Sequence, residues 1–208
     1  MRALYARPLL WLMQTKFYYW LLIEVIPYIR FTTYYTSFRG YQYHAGYALL
    51  QPGDIILTRD NKKLTTVLIP GEMTHAAMCV SKDGKWEISE MTHENYVKNC
   101  FFDLCKEADR VVIMRCTDFD PDYTQKVIEK CKSFVGAQYN IEFEFGIKAL
   151  YCSELDYQSD FERRWNVSLE DLAGLGRPYI SPTGFLHARN GLIVYDSDNY
   201  KNPNTDSV

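Results

Sequence analysis

Cys152 is the residue in this sequence whose type and position best suit nucleophilic chemistry. It lies in the pentapeptide YCSEL, residues 151–155, where an extended aromatic run ends and a helical pattern begins. In the first turn of a helix, unpaired backbone N–H groups and the positive end of the helix dipole stabilise an anion, so the pKa of a thiol is lowered there. The sequence therefore predicts a thiolate nucleophile, although a small buried hydrophobe is the commoner role of a cysteine.

A histidine that could serve as the base for this thiol lies in a predicted hairpin. The apolar runs 74–80 and 86–91 flank a short polar segment that contains Asp83-Gly84. Asp-Gly between two such runs is a strong signal for a two-residue hairpin turn. The sequence therefore predicts two adjacent antiparallel strands.

The register of this hairpin brings a carboxylate to the histidine. With Asp83-Gly84 as the turn, Val80 faces Glu87 and Ala77 faces Glu90. Side chains alternate between the faces of a sheet, so His75 and Glu90 share one face and Glu87 lies on the other. His75 and Glu90 are then diagonal neighbours with Cα atoms about 7 Å apart, which long side chains can bridge. The spacing predicts a histidine base oriented by Glu90.

Two further elements flank the cysteine. Residues 139–145 alternate apolar with polar, which predicts a half-buried strand. From Cys152 onward, Tyr157, Phe161 and Trp165 recur at four-residue spacing as one apolar stripe, which predicts a helix that continues to about residue 165.

The rest of the pattern mixes strands and capped helices. Further strands are predicted over 55–59, 111–116 and 192–195. A helix is predicted from Asp120-Pro121 to about residue 135, with Gly136 beyond its end, because Asp is a good N-cap and Pro a good first residue. Shorter helices are predicted after Ser168, which has capping-box spacing, and after Ser181. The expected class is α+β, with an antiparallel sheet of about five or six strands packed against the cysteine helix.

Composition narrows the function classes. The chain has 208 residues, 47% of them apolar, which is enough for one sizeable core. Its net charge of −3, with no basic stripe, argues against nucleic acid as a partner. The six cysteines lack the paired spacing of a zinc site, which favours a reduced compartment over a disulfide scaffold. His93 and Glu94 lie near Glu90, but their spacing does not suit a metal cluster, so no metal and no organic cofactor is expected.

Residues 1–47 are predicted to be an N-terminal apolar helix and a connector. The apolar runs 9–13 and 17–23 are interrupted by Lys16, and Pro27 stops the helical pattern. Three interpretations remain: a helix packed on the domain, which we prefer, a membrane-surface or partner helix through residues 8–31, and a spanning or signal segment. A cytoplasmic or peripheral membrane location is favoured over secretion, because no small-residue cleavage site follows.

Several stretches, in this order, resemble the permuted papain-like enzymes, the YaeF/YiiX-type branch of the NlpC/P60 superfamily. They are residues 52–57, 69–71, 73–77, 89–91, 151–155, 179–182 and 194–198. The resemblance covers residues 48–198 and implies a circularly permuted papain-like catalytic domain there, followed by a polar tail, 199–208.

The resemblance implies a site and a reaction. It makes Cys152 the nucleophile, His75 the general base and Glu90 the residue that orients His75, in agreement with the hairpin register. A thioacyl intermediate would form on an amide, peptide or ester bond of a small-molecule, peptide or lipid substrate. The Cys152 backbone N–H is the expected oxyanion donor, with Tyr151 as a wall or second donor.

Two alternatives to this hydrolase remain open. One is a lipid-directed acyltransferase or phospholipase-like enzyme, although such relatives commonly carry a second histidine where this chain has Glu90. The other is a non-catalytic module that binds an amino acid or a lipid.

Overall fold

The computed structural model describes residues 11, 15–29, 36–63, 66, 69, 71–81, 87–143, 145–146, 148–172 and 176–200. Within these residues the chain folds around one antiparallel sheet with helices on both faces, which agrees with the expected mixture of helices and antiparallel strands.

The central sheet contains six strands among the described residues. They are β1 (Ile55–Arg59), β2 (His75–Ser81), β3 (Glu87–Thr92), β4 (Asn95–Cys100), β5 (Arg110–Cys116) and β10 (Gly191–Asp196), in the spatial order β10-β5-β1-β2-β3-β4. Four shorter strands form two small pairs: β6 (Gln138–Tyr139) with β7 (Ala149–Leu150), and β8 (Glu170–Asp171) with β9 (Pro178–Tyr179).

Six α-helices surround this sheet in the described part of the chain. They are α1 (Lys16–Trp20), α2 (Gly40–Leu49), α3 (Phe101–Cys105), α4 (Pro121–Lys132), α5 (Cys152–Ser159) and α6 (Pro182–Leu186). The helices α4 and α5 pack against each other, and both contact β2. Helix α4 begins as predicted, because the Asp120 side chain accepts a hydrogen bond from the Tyr123 N–H and Pro121 is its first residue.

Alternation along the strands gives the sheet two buried faces. On one face, Met78 and Val80 of β2 pack with Leu155 of α5. On the other face, Ala77 and Cys79 belong to a separate cluster, to which Phe101 of α3 also belongs. Because both faces are covered, β1, β2 and β5 are almost entirely buried, and the ends of these strands are where side chains can reach solvent.

The predicted hairpin register is correct at the position that matters for chemistry. Ala77 pairs with Glu90, as expected. The pairing of Val80 with Glu87 is wrong, because Ser81 faces Glu87 and Val80 is the extra residue of a bulge. The Asp83-Gly84 turn lies outside the described residues.

Three other sequence expectations are wrong. Helix α5 ends at Ser159 and not near 165, because the Asp160 carboxylate accepts hydrogen bonds from the Tyr123 hydroxyl and the Trp165 N–H and turns the chain. The predicted strand 139–145 stops at Tyr139, and Phe143 has a positive φ of 54°, which breaks a strand. The capping-box pattern at Ser168 is followed by the short strand β8 and not by the first turn of an α-helix, and residues 173–175 lie outside the described part of the chain.

The N-terminal segment is short and irregular where it is described. Helix α1 continues into a π-helical turn, Leu21–Val25, and a 3-10 turn, Ile26–Tyr28, that contains Pro27. Tyr18 packs against the core and Ile26 is buried, whereas Phe17 and Trp20 are 62% and 52% exposed. Residues 1–10, 12–14 and 30–35 lie outside the described part, so the added N-terminal helix stays a prediction. No helix among the described residues has the length and apolar character that a membrane crossing requires.

Candidate active site

Cys152 is the first residue of α5 and is 3% exposed. The backbone N–H groups of Ser153, in the same helical turn, and of Ala76, in β2, lie near its sulfur and lower the pKa of the thiol. The helix start and the adjacent strand thus both direct amide dipoles at the sulfur, which is the environment that stabilises a thiolate.

His75 lies between Cys152 and Glu90. It is the first residue of β2, its side chain is 24% exposed, and it is hydrogen-bonded to the Cys152 side chain. The Nε2 atom of His75 is 2.6 Å from Oε2 of Glu90. Because Glu90 uses Nε2, Nδ1 is the ring nitrogen left for the sulfur, so one imidazole can connect the thiol to the carboxylate.

Glu90 is itself held by a residue that the sequence did not indicate. Asn99 of β4 donates a hydrogen bond from Nδ2 to Oε1 of Glu90, at 2.9 Å. Glu90 pairs with Val97 across β3 and β4, and this register brings Asn99 close enough. Both oxygens of the buried Glu90 therefore have donors, and the carboxylate is fixed toward His75.

The charges of the three residues depend on one another. Burial opposes ionisation of all three groups, but the hydrogen bonds with Cys152 and Glu90 raise the pKa of His75 to about 10. Burial likewise disfavours the Cys152 thiolate, yet the hydrogen bond and positive charge of His75 lower the pKa of the thiol overall. The pKa of Glu90 is lowered against burial by His75 and Asn99. Near neutral pH the arrangement can therefore hold a thiolate, an imidazolium and a carboxylate together.

Tyr151 is placed differently from the sequence expectation. Its side chain is fully buried among Phe143 and Tyr179, with ring centroids 5.1 and 5.8 Å away, so it does not form a wall of an open cleft. Its hydroxyl accepts a hydrogen bond from the Ile180 N–H at 2.9 Å. The structure therefore argues against a cleft-wall role, because the hydroxyl holds the next segment, and the role of Tyr151 as a second oxyanion donor stays a prediction.

Comparisons with known proteins identify the family of this chain. A family profile described as "Permuted papain-like amidase enzyme, YaeF/YiiX, C92 family" matches residues 49–190. The chain belongs to this family. A crystal structure described as that of the metalloprotein yiiX from Escherichia coli O157:H7 is similar in fold, with 19% identity and a TM-score of 0.57 over 68% of this chain and 94% of that chain. The comparison with curated proteins found no match.

As a permuted papain-like amidase, the chain carries the histidine strand ahead of the cysteine helix, and family membership indicates a cysteine hydrolase. The similar crystal structure is described as that of a metalloprotein. Among the described residues of this chain, no three His, Cys, Asp or Glu side chains form a group suited to a metal ion. His93 is instead hydrogen-bonded to the Tyr28 hydroxyl at 3.2 Å.

This amidase helix also carries two buried acids that sequence reasoning missed. Glu154 accepts a hydrogen bond from the Gly146 N–H, and burial raises its pKa to about 7. Asp156 is 0% exposed, and neither of its carboxyl oxygens has a hydrogen-bond partner in the described part of the chain. Burial, then the charge of Cys152, raises the pKa of Asp156 far above its usual range. In the sequence, the indication of this acid is its position: Asp156 follows Cys152 by four residues and therefore lies one helical turn below it.

Other cysteines of this chain differ from Cys152 in the direction in which their pKa is shifted. The thiols of Cys105, Cys116 and Cys131 are buried, and burial raises the pKa of each, to about 11 for Cys116 and about 12 for Cys131. Cys79 and Cys116 are core residues. All six cysteines are free thiols.

Proposed function

We propose that this member of the permuted papain-like amidase family hydrolyses an amide, peptide or ester bond through a Cys152–His75–Glu90 triad and a thioacyl intermediate. The observation that carries the proposal is the continuous hydrogen-bonded chain from Cys152 through His75 to Glu90. A cysteine whose pKa is lowered beside a histidine whose pKa is raised is the usual form of an activated thiol.

The reaction follows from these charges. The Cys152 thiolate attacks the carbonyl carbon, the π electrons of the carbonyl move to oxygen, and the Cys152 backbone N–H stabilises the oxyanion. When the intermediate collapses, the leaving amine or alcohol takes its proton from the His75 imidazolium, which leaves a thioester and a neutral imidazole. His75 then takes a proton from water, the resulting hydroxide attacks the thioester, and the acid and the thiolate are released.

The experiment that tests this proposal is Cys152→Ala against a panel of fluorogenic peptide, lipid-ester and acyl-amide substrates. We expect kcat/KM to fall at least about a thousandfold, as for removal of a nucleophile, with the free energy of unfolding changed by no more than about 1 kcal/mol. Cys116→Ala is the matched control, because it also removes a buried thiol but one whose pKa is raised. Turnover that survives in Cys152→Ala would contradict the mechanism.

A lipid substrate is the alternative that a structural observation favours. Trp11, Phe17 and Trp20, all of a type common at membrane surfaces, are exposed in the described N-terminal segment. We therefore propose membrane-surface contact through residues 8–31 as a route to lipid esters or acyl amides. Liposome flotation of the full chain and of Trp20→Ala tests this membrane-surface contact. Full flotation of a chain that starts near residue 31 would contradict this route.

A further inference from the structure

We propose that residues 15–29 form a strap across the entrance to Cys152 and His75, and that an anionic lipid bilayer draws this strap away. The inference deepens the proposed function and rests on it, because it takes Cys152 as the nucleophile and names lipid esters or acyl amides in a bilayer as the substrate class.

One end of the strap is attached beside His75. The Tyr28 hydroxyl is hydrogen-bonded to Nε2 of His93 at 3.2 Å, and the two rings meet edge to face with centroids 5.5 Å apart. The register between β2 and β3 carries Thr92 to the position opposite His75. His93 directly follows Thr92 in the turn between β3 and β4, so this end of the strap lies on the histidine side of the site.

The other end of the strap lies against the core. Tyr18, in α1, packs against the hydrophobic cluster that contains Tyr151, the residue immediately before Cys152. Burial in this position raises the pKa of the Tyr18 hydroxyl. Tyr18 and Tyr28 are ten residues apart in a helical segment, which corresponds to about 15 Å at the rise of an α-helix. A segment of this length reaches from the cysteine side of the site to the histidine side.

Access to the nucleophile requires that some element moves. Cys152 is 3% exposed, and the side chain of His75 is 24% exposed. Helix α5 and strand β2 are built into the core, whereas the strap changes from α-helix to a π-helical and then a 3-10 turn, and its bond to His93 lies on the surface. Segments with irregular structure and exposed hydrogen bonds open more readily than core elements. The strap is therefore the element that we expect to open.

The outward side of the strap suits an anionic bilayer. Phe17 and Trp20 are 62% and 52% exposed, and such aromatic side chains favour membrane interfaces. The whole chain has a net charge of −3, yet basic side chains outnumber acidic ones in residues 1–31, with Arg2, Arg7, Lys16 and Arg30 against Glu24. Basic residues beside aromatic anchors add electrostatic attraction to anionic lipids. Insertion of Phe17 and Trp20 into such a bilayer would compete with the contacts that hold the strap on the domain.

Thiol labelling measures access to Cys152 and requires no turnover. N-(1-Pyrenyl)maleimide is a bulky reagent to which a thiolate adds, and iodoacetamide is a small reagent from which a thiolate displaces iodide. Peptide mass spectrometry gives the rate of each reagent at Cys152 relative to Cys100, a partly exposed thiol outside the strap. The ratio of the bulky to the small rate reports opening of the entrance, because the thiolate fraction affects both rates equally.

In Tyr28→Ala and in His93→Ala, we expect this ratio to rise roughly 3- to 10-fold, as for loss of one hydrogen bond from the closed form, with Tm preserved. Glu94→Ala is the matched control. Glu94 lies in the same turn as His93, and its side chain makes no hydrogen bond or ion pair with a described residue.

Vesicles of phosphatidylcholine with phosphatidylglycerol should raise the ratio in the wild type and much less in Trp20→Ala. Vesicles of phosphatidylcholine alone should have the smaller effect, because they lack the anionic headgroup. Leu192→Ala is the control for this arm, since Leu192 is also 52% exposed but lies in β10, at the edge of the sheet.

Each result decides one question. A ratio that changes less than about twofold in both Tyr28→Ala and His93→Ala, or that rises equally in Glu94→Ala, overturns the strap. Vesicles that leave the wild-type ratio unchanged, or that raise it equally in Trp20→Ala, overturn the bilayer as the agent that opens it. Turnover that persists in Cys152→Ala overturns the proposed function instead, whatever the labelling rates are.

Discussion

Glu90 and Asp156 are both buried carboxyl groups that interact electrostatically with His75, yet their pKa values are shifted in opposite directions. Glu90 has a donor for each oxygen, in His75 and Asn99, and despite burial its pKa is lowered. Asp156 has no donor in the described structure, and burial raises its pKa well above the ordinary value. Hydrogen-bond partners, and not burial alone, thus decide which of two buried acids carries charge.

The consequence for the site is that only one of these two carboxyl groups places a negative charge near His75. An ionised Asp156 one turn below Cys152 would raise the pKa of the thiol and reduce the thiolate fraction. A neutral Asp156 keeps its volume and polarity without that charge. We propose that Glu90 acts through its charge, whereas Asp156 must stay neutral for the thiol to ionise.

The largest expected effect is on turnover in Glu90→Gln. Glutamine can still contact His75, but it lacks the charge that holds the imidazolium, so turnover should fall roughly a hundredfold. Alkylation of Cys152 in this variant should also require a higher pH to reach the wild-type rate. The control is Glu87→Gln, because Glu87 is paired with Lys98 at 3.3 Å and lies in the strand position opposite Ser81. Equal losses in the two variants would show that Glu90 has no special role.

Asp156→Asn should leave turnover within about threefold and change the pH dependence of stability. A carboxyl group whose folded-state pKa is raised contributes stability that is fully present below its unfolded pKa, about 3.9, and is lost as the pH rises above it. The wild-type unfolding constant should therefore increase by up to about tenfold per pH unit relative to that of Asp156→Asn. Urea unfolding at several pH values between 4 and 7 measures this difference, and parallel stability curves would mean that Asp156 is already ionised.

A smaller loss of turnover than in Glu90→Gln is expected for Asn99→Ala, which removes one of the donors to Glu90 and leaves the bond to His75. Loss of a hydrogen bond to a buried charge costs about 1–3 kcal/mol, so a decrease in turnover of about tenfold is expected, with the larger share in kcat. Lys98→Ala is the neighbouring control, since its partner is the half-exposed Glu87. If Asn99→Ala equals Glu90→Gln, the orienting hydrogen bond matters as much as the charge.

The difference between these acids also explains what could be predicted from sequence. The pairing of Ala77 with Glu90 follows from strand alternation on either side of an Asp-Gly turn. The proximity of His75 and Glu90 could therefore be predicted from the sequence. The bulge at Val80 could not, because it depends on how the sheet twists against the helices. Asn99 requires the register of a further strand, and the burial of Asp156 requires the packing of α5 on the sheet, neither of which has a local signal. The helix end at Ser159 was missed for the same reason, since Asp160 ends it through contacts with the distant Tyr123.

Ile180 is hydrogen-bonded to both neighbours of Cys152: its N–H donates to the Tyr151 hydroxyl, and its carbonyl accepts from the Ser153 hydroxyl. These bonds bear on the order in which the site is made. His75 and Glu90 lie 15 residues apart and can meet as soon as their hairpin leaves the ribosome. The nucleophile follows 62 positions after Glu90, its environment is completed by Ile180, and β10, at residues 191–196, must still pair with β5. Synthesis proceeds from the N-terminus, so the segment around Ile180 is made after the helix that carries the cysteine. Cys152 therefore reaches its final surroundings late in synthesis, when the hairpin that carries His75 and Glu90 can already have formed.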